Sequence, residues 1–269
     1  MRVVIAGFGP FPGAPSNPTG RLATALARRR RPALADIEIT SHVFTTAYAA
    51  VDRDLAKLLA RNPDVLLIFG LAGRRRHICI ETRARNARSV LFPDVSGCRP
   101  ERATIEDGQI RSRTGNAPFH QLLNVVRQNK VPARLSRDAG AYLCNYAYWR
   151  ALQHVRGKHP LVQFVHIPWV GAAGQHGRFK RPPPTLSRLV TAAESLLIAL
   201  LAASRRVRQQ ATEAGRLSGS ARSRSRSNYA SSAARNARAR RVRSPRAAET
   251  GRSARPRSPA RRDRRRHRI

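Results

Sequence analysis

The sequence is short of cysteine and of acidic residues and holds no long apolar run, and each shortage narrows what the chain can be. Its three cysteines, Cys79, Cys98 and Cys144, are odd in number and far apart, with no CxxC or Cys/His pairing. That argues against a disulfide-stapled scaffold and against a zinc site, and it suits a reducing cytoplasm. No stretch reads as the roughly 20 apolar residues of a membrane span, and residues 3–6 are too few for a secretory leader. The expectation is a cytoplasmic protein with no membrane partner. Acidic residues number 15 against 52 Lys and Arg, for a formal charge of +37 in 269 residues. That charge is uneven, since residues 205–269 alone hold 22 Arg and 3 acids.

Up to about residue 206, apolar runs alternate with helical patterns. Strands are expected over residues 2–6, 37–44, 65–69, 76–81 and 161–166. Helices are expected over residues 17–30, 47–61, 117–130, 142–156 and 185–204, the first with Asn17 as cap and Pro18 in its first turn. The alternation predicts an α/β fold, a three-layer α/β/α sandwich around a mostly parallel twisted sheet. In the last helix Leu186, Leu189, Val190, Ala193, Leu196, Leu197, Leu200 and Leu201 form one apolar stripe that would complete the core.

Beyond it the composition changes. Residues 207–269 are mostly Arg, Ser, Ala, Pro and Gly, with Tyr229 as the one aromatic and no Lys after Lys180. Such a segment buries too little to offset its ordering entropy, so it reads as a disordered basic C-terminal tail. The domain reading is therefore 1–206 and 207–269. The SRSRS and RRDRRRHRI runs resemble arginine-rich segments that bind phosphates, which makes nucleic acid a candidate partner. The same composition is also what GC-rich DNA yields in an unselected frame.

The glycine-rich turn GFGPFPG at residues 7–13 follows the first strand, where a phosphate cradle would stand. Pro10 and Pro12 remove two of the backbone donors such a cradle needs. Phe8 and Phe11 fill the space with rings. The turn reads instead as the wall of a small apolar pocket.

Chemistry is concentrated in SRDAGAYLCNYAYWRALQHV, residues 136–155. Gly140 breaks the chain, and Tyr142, Leu143, Tyr146, Trp149 and Leu152 then recur at helical spacing. Cys144 thus falls in the first turn of a helix, where the dipole favours a thiolate and free N–H groups can hold an oxyanion. A lone cysteine is more often a small buried hydrophobe, and position alone does not exclude that. Cys79, inside the strand pattern HICIE, reads as packing or the floor of a site. Cys98 lies in a Gly/Pro/Asp loop with nothing nearby to activate it. A thiolate needs a base, and His166 ends the apolar strand LVQFVHIP at the edge where open α/β sheets bind ligands. Glu81 ends RRHICIE in the matching place and could orient the imidazole.

These segments, GFGPFPGAPSNPTG, GLAGRRRHICIETRARN, SRDAGAYLCNYAYW and FVHIP, occur in the order found in pyroglutamyl peptidase I, the pyrrolidone-carboxylate peptidases. The chain resembles that family of cysteine peptidases over about three-quarters of its length. The resemblance implies removal of N-terminal pyroglutamyl residues from peptides, with Cys144 as nucleophile, His166 as base and acid, and Glu81 orienting His166. It implies that Phe8 and Phe11 sandwich the lactam ring and that Asn17 braces the pocket loops. Leu71, Tyr142 and Leu143 would line the pocket. No metal or cofactor is implied, and a homo-oligomer is compatible with it. Two departures stand out. Many members have Gln-Ala-Gly-Gly-Arg where this chain has Leu71-Ala72-Gly73-Arg74-Arg75, and many carry an arginine where Leu91 stands, with Arg88 the nearby candidate to replace it. The alternative reading is a catalytically weakened member whose basic tail binds nucleic acid.

Overall fold

The computed structural model describes residues 1–155, 160–171 and 183–241, the stretch 214–241 by its helical backbone alone. Two units divide the chain, Met1–Glu213 and Ala214–Ile269. In the first unit, β1 (Arg2–Phe8), β2 (Glu38–Phe44), β3 (Val65–Leu71), β4 (Ile78–Glu81), β7 (Ala133–Ser136) and β8 (Leu161–Ile167) form one six-stranded sheet. Its order is β2-β1-β3-β8-β4-β7. A separate antiparallel ribbon joins β5 (Arg83–Arg85) to β6 (Ser112–Thr114). The helices are α1 (Pro18–Ala27), α2 (Tyr48–Ala60), α3 (Phe119–Gln128), α4 (Leu143–His154) and α5 (Leu186–Arg241).

Strand parity builds the layers, because successive side chains leave a strand on opposite faces. Val3, Ile5, Val65, Leu67, Phe69, Val165 and Ile167 pack with Leu22 and Leu26 of α1, Leu122 and Val126 of α3, and the Leu189–Leu201 stripe of α5. Val4, Ala6, Phe8, Leu66, Ile68, Val162 and Phe164 pack on the other face with α2 and α4. This is the expected three-layer α/β/α sandwich.

The sheet is mostly parallel, as expected: β1, β2, β3 and β8 are parallel neighbours and β4 is parallel to β7, while β4 runs antiparallel to β8. Two differences from the sequence reading have clear causes. β7, with the sequence ARLS, is too short and polar to announce itself as a strand. The last helix does not stop near Ser204 but continues to Arg241, so residues 207–241 are helical where disorder was expected. Ala and Arg are strong helix formers, and the first proline after Pro184 is Pro245. The rest of the expected tail, residues 242–269, lies outside the described residues.

A further correction concerns membranes. Leu186–Glu213 is long and apolar enough to cross one by length and composition alone. Its apolar residues are spent on the core instead, with Leu189, Leu196, Leu197, Leu200 and Leu201 all buried against the sheet.

Candidate active site

Parity also decides which residues can meet. Ile78 and Ile80 of β4 belong to the α1/α3/α5 face, so Cys79 and Glu81 point to the α2/α4 face. His166 lies between Val165 and Ile167, which puts it on that same α2/α4 face. In the antiparallel register Cys79 stands opposite His166, and Glu81 is its diagonal neighbour. Antiparallel pairing, not a shared strand-end edge as the sequence suggested, therefore brings Glu81 to His166. Glu81 Oε1 stands 2.8 Å from His166 Nδ1, with Glu81 fully buried. With Nδ1 engaged by the carboxylate, Nε2 is the ring nitrogen left for other chemistry.

A buried carboxylate needs compensation. Arg75 supplies it: its Nη1 donates to Glu81 Oε1 at 3.1 Å and to Ser136 Oγ at 3.3 Å, and its Nη2 donates to the Asp138 carbonyl at 2.9 Å. One guanidinium thus ties β4 to the loop that leads into α4. Tyr148 Oη and Gln163 Nε2 each donate to the Glu81 carbonyl at 3.1 Å. Burial pushes the Cys79 thiol up, with Arg75 partly opposing it, so Cys79 is a buried thiol beside Arg75 that does not line the cavity.

Gly140 turns the chain into α4 with φ of 85°, a left-handed conformation that glycine adopts without strain. Tyr142 then caps α4 in extended conformation without placing a side-chain oxygen on the first-turn N–H groups. Cys144 lies in that first turn. Its Sγ sits over β3 because Gly70 has no side chain: a Cβ there would stand 2.9 Å from Sγ and 2.7 Å from the Phe164 ring. The His166 imidazole and Cys144 face the same space. Burial alone would lower the His166 pKa, but the hydrogen bonds and charges of Cys144 and Glu81 outweigh it and raise it to about 9.

A cavity of about 340 Å³ opens above this group, within the range of small-molecule sites. Phe8, Phe11, Asn17, Leu71, Tyr142, Leu143, Cys144 and His166 all line it, and Glu81 stands behind His166. Phe8 is the core-anchored wall, its ring 5.5 Å from Phe44 and 6.4 Å from Phe164. Phe11 is half-buried and faces Tyr142 across 6.3 Å. Asn17 caps α1 through Oδ1, which accepts from Thr19 N at 3.1 Å, while its Nδ2 donates to the Gly9 carbonyl at 2.9 Å. It thereby holds the GFGPFPG turn in place.

Arg75, Thr46 and Asn145 escaped the sequence reading as site residues. Thr46 lines the cavity and donates to the Gly9 carbonyl at 3.2 Å. Asn145 is buried and binds the backbone of Arg85 and Ala87. A polar residue beside the apolar stripe of α4 was the available signal for it. The suggested replacement by Arg88 does not occur: its Nε donates to the Arg102 carbonyl, and it is absent from the cavity lining. Leu91 is 72% exposed and lines no part of the cavity.

A thiol beside a histidine that a buried carboxylate holds is the constellation of thiol hydrolases. The model of the family described as pyroglutamyl peptidase matches residues 1–206. The chain belongs to the pyroglutamyl peptidase family. Among similar proteins, the pyrrolidone-carboxylate peptidase of Pyrococcus furiosus is 31% identical over 173 residues, covering 63% of this chain and 82% of its own. The one from Clavibacter michiganensis is 31% identical over 203 residues, covering 74% and 92%. A crystal structure of a mutant pyrrolidone carboxyl peptidase from P. furiosus superposes with a TM-score of 0.65 at 28% identity, covering 75% of this chain and 98% of that one.

Proposed function

We propose that this enzyme removes N-terminal pyroglutamyl residues from peptides through Cys144, His166 and Glu81. The observation that carries the reading is the convergence of a thiol, a carboxylate-held imidazole and two phenylalanines on one small cavity. A lactam ring has flat apolar faces and one amide edge, which suits a slot walled by Phe8 and Phe11. Asn17, Leu71, Tyr142 and Leu143 shape the rest of the slot. Cys144 Sγ attacks the pyroglutamyl carbonyl carbon, and the oxygen takes up negative charge beside the free N–H groups at the start of α4. His166 Nε2–H protonates the leaving amine as the C–N bond breaks, leaving a thioester. His166 then takes a proton from water, which attacks the thioester and releases pyroglutamate and the Cys144 thiolate.

Because its neighbours raise the His166 pKa, the imidazole is held protonated through neutral pH. The activity profile is expected to fall on the alkaline side with an apparent pKa of about 9. A folded-state pKa raised from 6.5 to about 9 also stabilises the fold. That contribution is complete below the unfolded value and is lost as pH rises through the folded one. Glu81→Gln should move the alkaline limb toward neutrality, and an unmoved limb in kcat/KM against pH would speak against Glu81 as the orienting group.

The second unit is a separable, phosphate-binding segment in this proposal, carrying 19 Arg and 2 acids in residues 214–269. Truncation after Glu213 spares the core stripe of α5 and the 2.7 Å Arg208–Asp64 pair. The truncated enzyme should keep its melting temperature and peptidase activity while any affinity for RNA or DNA loses much of its salt dependence. Lost activity on truncation would place the boundary elsewhere.

A further inference from the structure

We infer that Arg74 makes the mouth of this cavity a carboxylate-recognition site, so that the enzyme favours pyroglutamyl peptides with negative charge immediately after the scissile bond. The inference rests on the pyroglutamyl reading and deepens it. The Arg75 N–H donates to the Ala72 carbonyl at 2.8 Å, closing a turn with Gly73 and Arg74 at its tip. The Ala72 N–H in turn donates to the Ile167 carbonyl at 2.9 Å, which fastens the turn to β8. A Cβ at Gly73 would stand 2.6 Å from Trp169 Nε1, so the indole lies directly on the turn. Arg74 is thus presented from a braced support, exposed, and it lines the cavity.

The charges around it do not cancel it. Among the described residues no Asp or Glu lines the cavity. Glu81 is buried and engaged by Arg75 and His166. Asp138 pairs with Arg85 at 2.7 Å. Asp94 accepts from the backbone N–H groups of Tyr48, Ser96 and Cys98. Among the described residues no carboxylate comes within 4.0 Å of the Arg74 guanidinium, whereas Arg75 has its Glu81. Residues 172–182, which follow Trp169 closely in sequence, contain no Asp or Glu. Arg76, the next residue after Arg75, is exposed and adds to the positive field. A cleft lined by one sign of charge concentrates ligands of the other, and a guanidinium matches a carboxylate in shape.

The carboxylate has two sources, the side chain of an acidic second residue or the free C-terminus of a dipeptide. Three substrates separate them: pyroglutamyl-glutamyl amide, pyroglutamyl-alanine with a free carboxylate, and pyroglutamyl-alanyl amide. For the full-length enzyme at low salt, kcat/KM for at least one acidic substrate should exceed that for the neutral amide by about two- to fivefold, the scale of a partly exposed ion pair. The preference should shrink in high salt, as screening requires. Arg74→Ala should reduce the acidic-to-neutral ratio toward one, and Arg74→Glu should invert it. An acidic-to-neutral ratio that is the same in wild type and both variants would overturn the inference, as would equal losses on all three substrates. If the wild type cleaved none of the three, the pyroglutamyl reading would fall and this inference with it.

Discussion

Cys144→Ser is expected to abolish turnover of pyroglutamyl substrates, with a loss of roughly 10³- to 10⁶-fold, the range seen when a hydrolase loses the nucleophile of a cooperating group. A serine hydroxyl holds its proton far more tightly than a thiol, and a Cys–His pair is built to stabilise a thiolate. The variant should fold normally, since Cys144 sits at a half-buried cavity wall and the substitution changes one atom. Thiol reagents should inactivate the wild type and no longer affect the variant's residual rate. Cys79→Ser and Cys98→Ser should keep most activity, because Cys79 is buried outside the cavity lining and Cys98 is an exposed loop residue. The His166 imidazole offers an independent readout. Without the Cys144 side chain that helps hold its proton, its pKa should fall in Cys144→Ser, which an NMR titration would follow.

The second large effect is a contrast between the two phenylalanines. Phe8 belongs to the core as well as the cavity, being 2% exposed and packed on Phe44 and Phe164. Phe8→Ala should cost about 3–5 kcal/mol of stability, as Phe→Ala changes in cores do. For a domain of this size that is a melting point lower by roughly 10 °C. Phe11 is only half-buried on its turn, so Phe11→Ala should leave the melting point nearly unchanged. It should instead weaken substrate binding by about 1–3 kcal/mol, the value of an aromatic face against a flat apolar ligand. Equal melting points for the two variants would contradict the division of labour between core and slot. Unchanged kcat/KM in Phe11→Ala would remove Phe11 from the ring site.

The apolar strands β1, β3 and β8 were legible because they are buried on both faces and read as continuous apolar runs. The start of α4 was legible from Gly140 and the spacing of its large residues. Strand direction was not legible. Whether Glu81 and His166 meet end to end or diagonally depends on how β4 enters the sheet, and no local pattern encodes that. The open space over Gly70 was equally hidden, since a glycine at a strand end has many uses and only the position of Cys144 Sγ gives this one meaning. Arg75 was overlooked because it stands in a run of three arginines, of which one is drawn inward by a buried carboxylate. The long α5 was missed for a different reason. Burial capacity argued for disorder after residue 206, while the local preferences of Ala and Arg, unbroken by proline, favour helix.

The central claim is that this cavity grips a lactam and delivers it to Cys144. Its most direct test is fluorophore release by the full-length enzyme from an L-pyroglutamyl amide and from the matching L-prolyl amide, whose ring has no carbonyl and carries a basic amine in place of the lactam N–H. The account predicts rapid release from the pyroglutamyl amide, little from the prolyl amide, and none from either with Cys144→Ser. Comparable release from both amides, or release from the pyroglutamyl amide that survives Cys144→Ser, would contradict it.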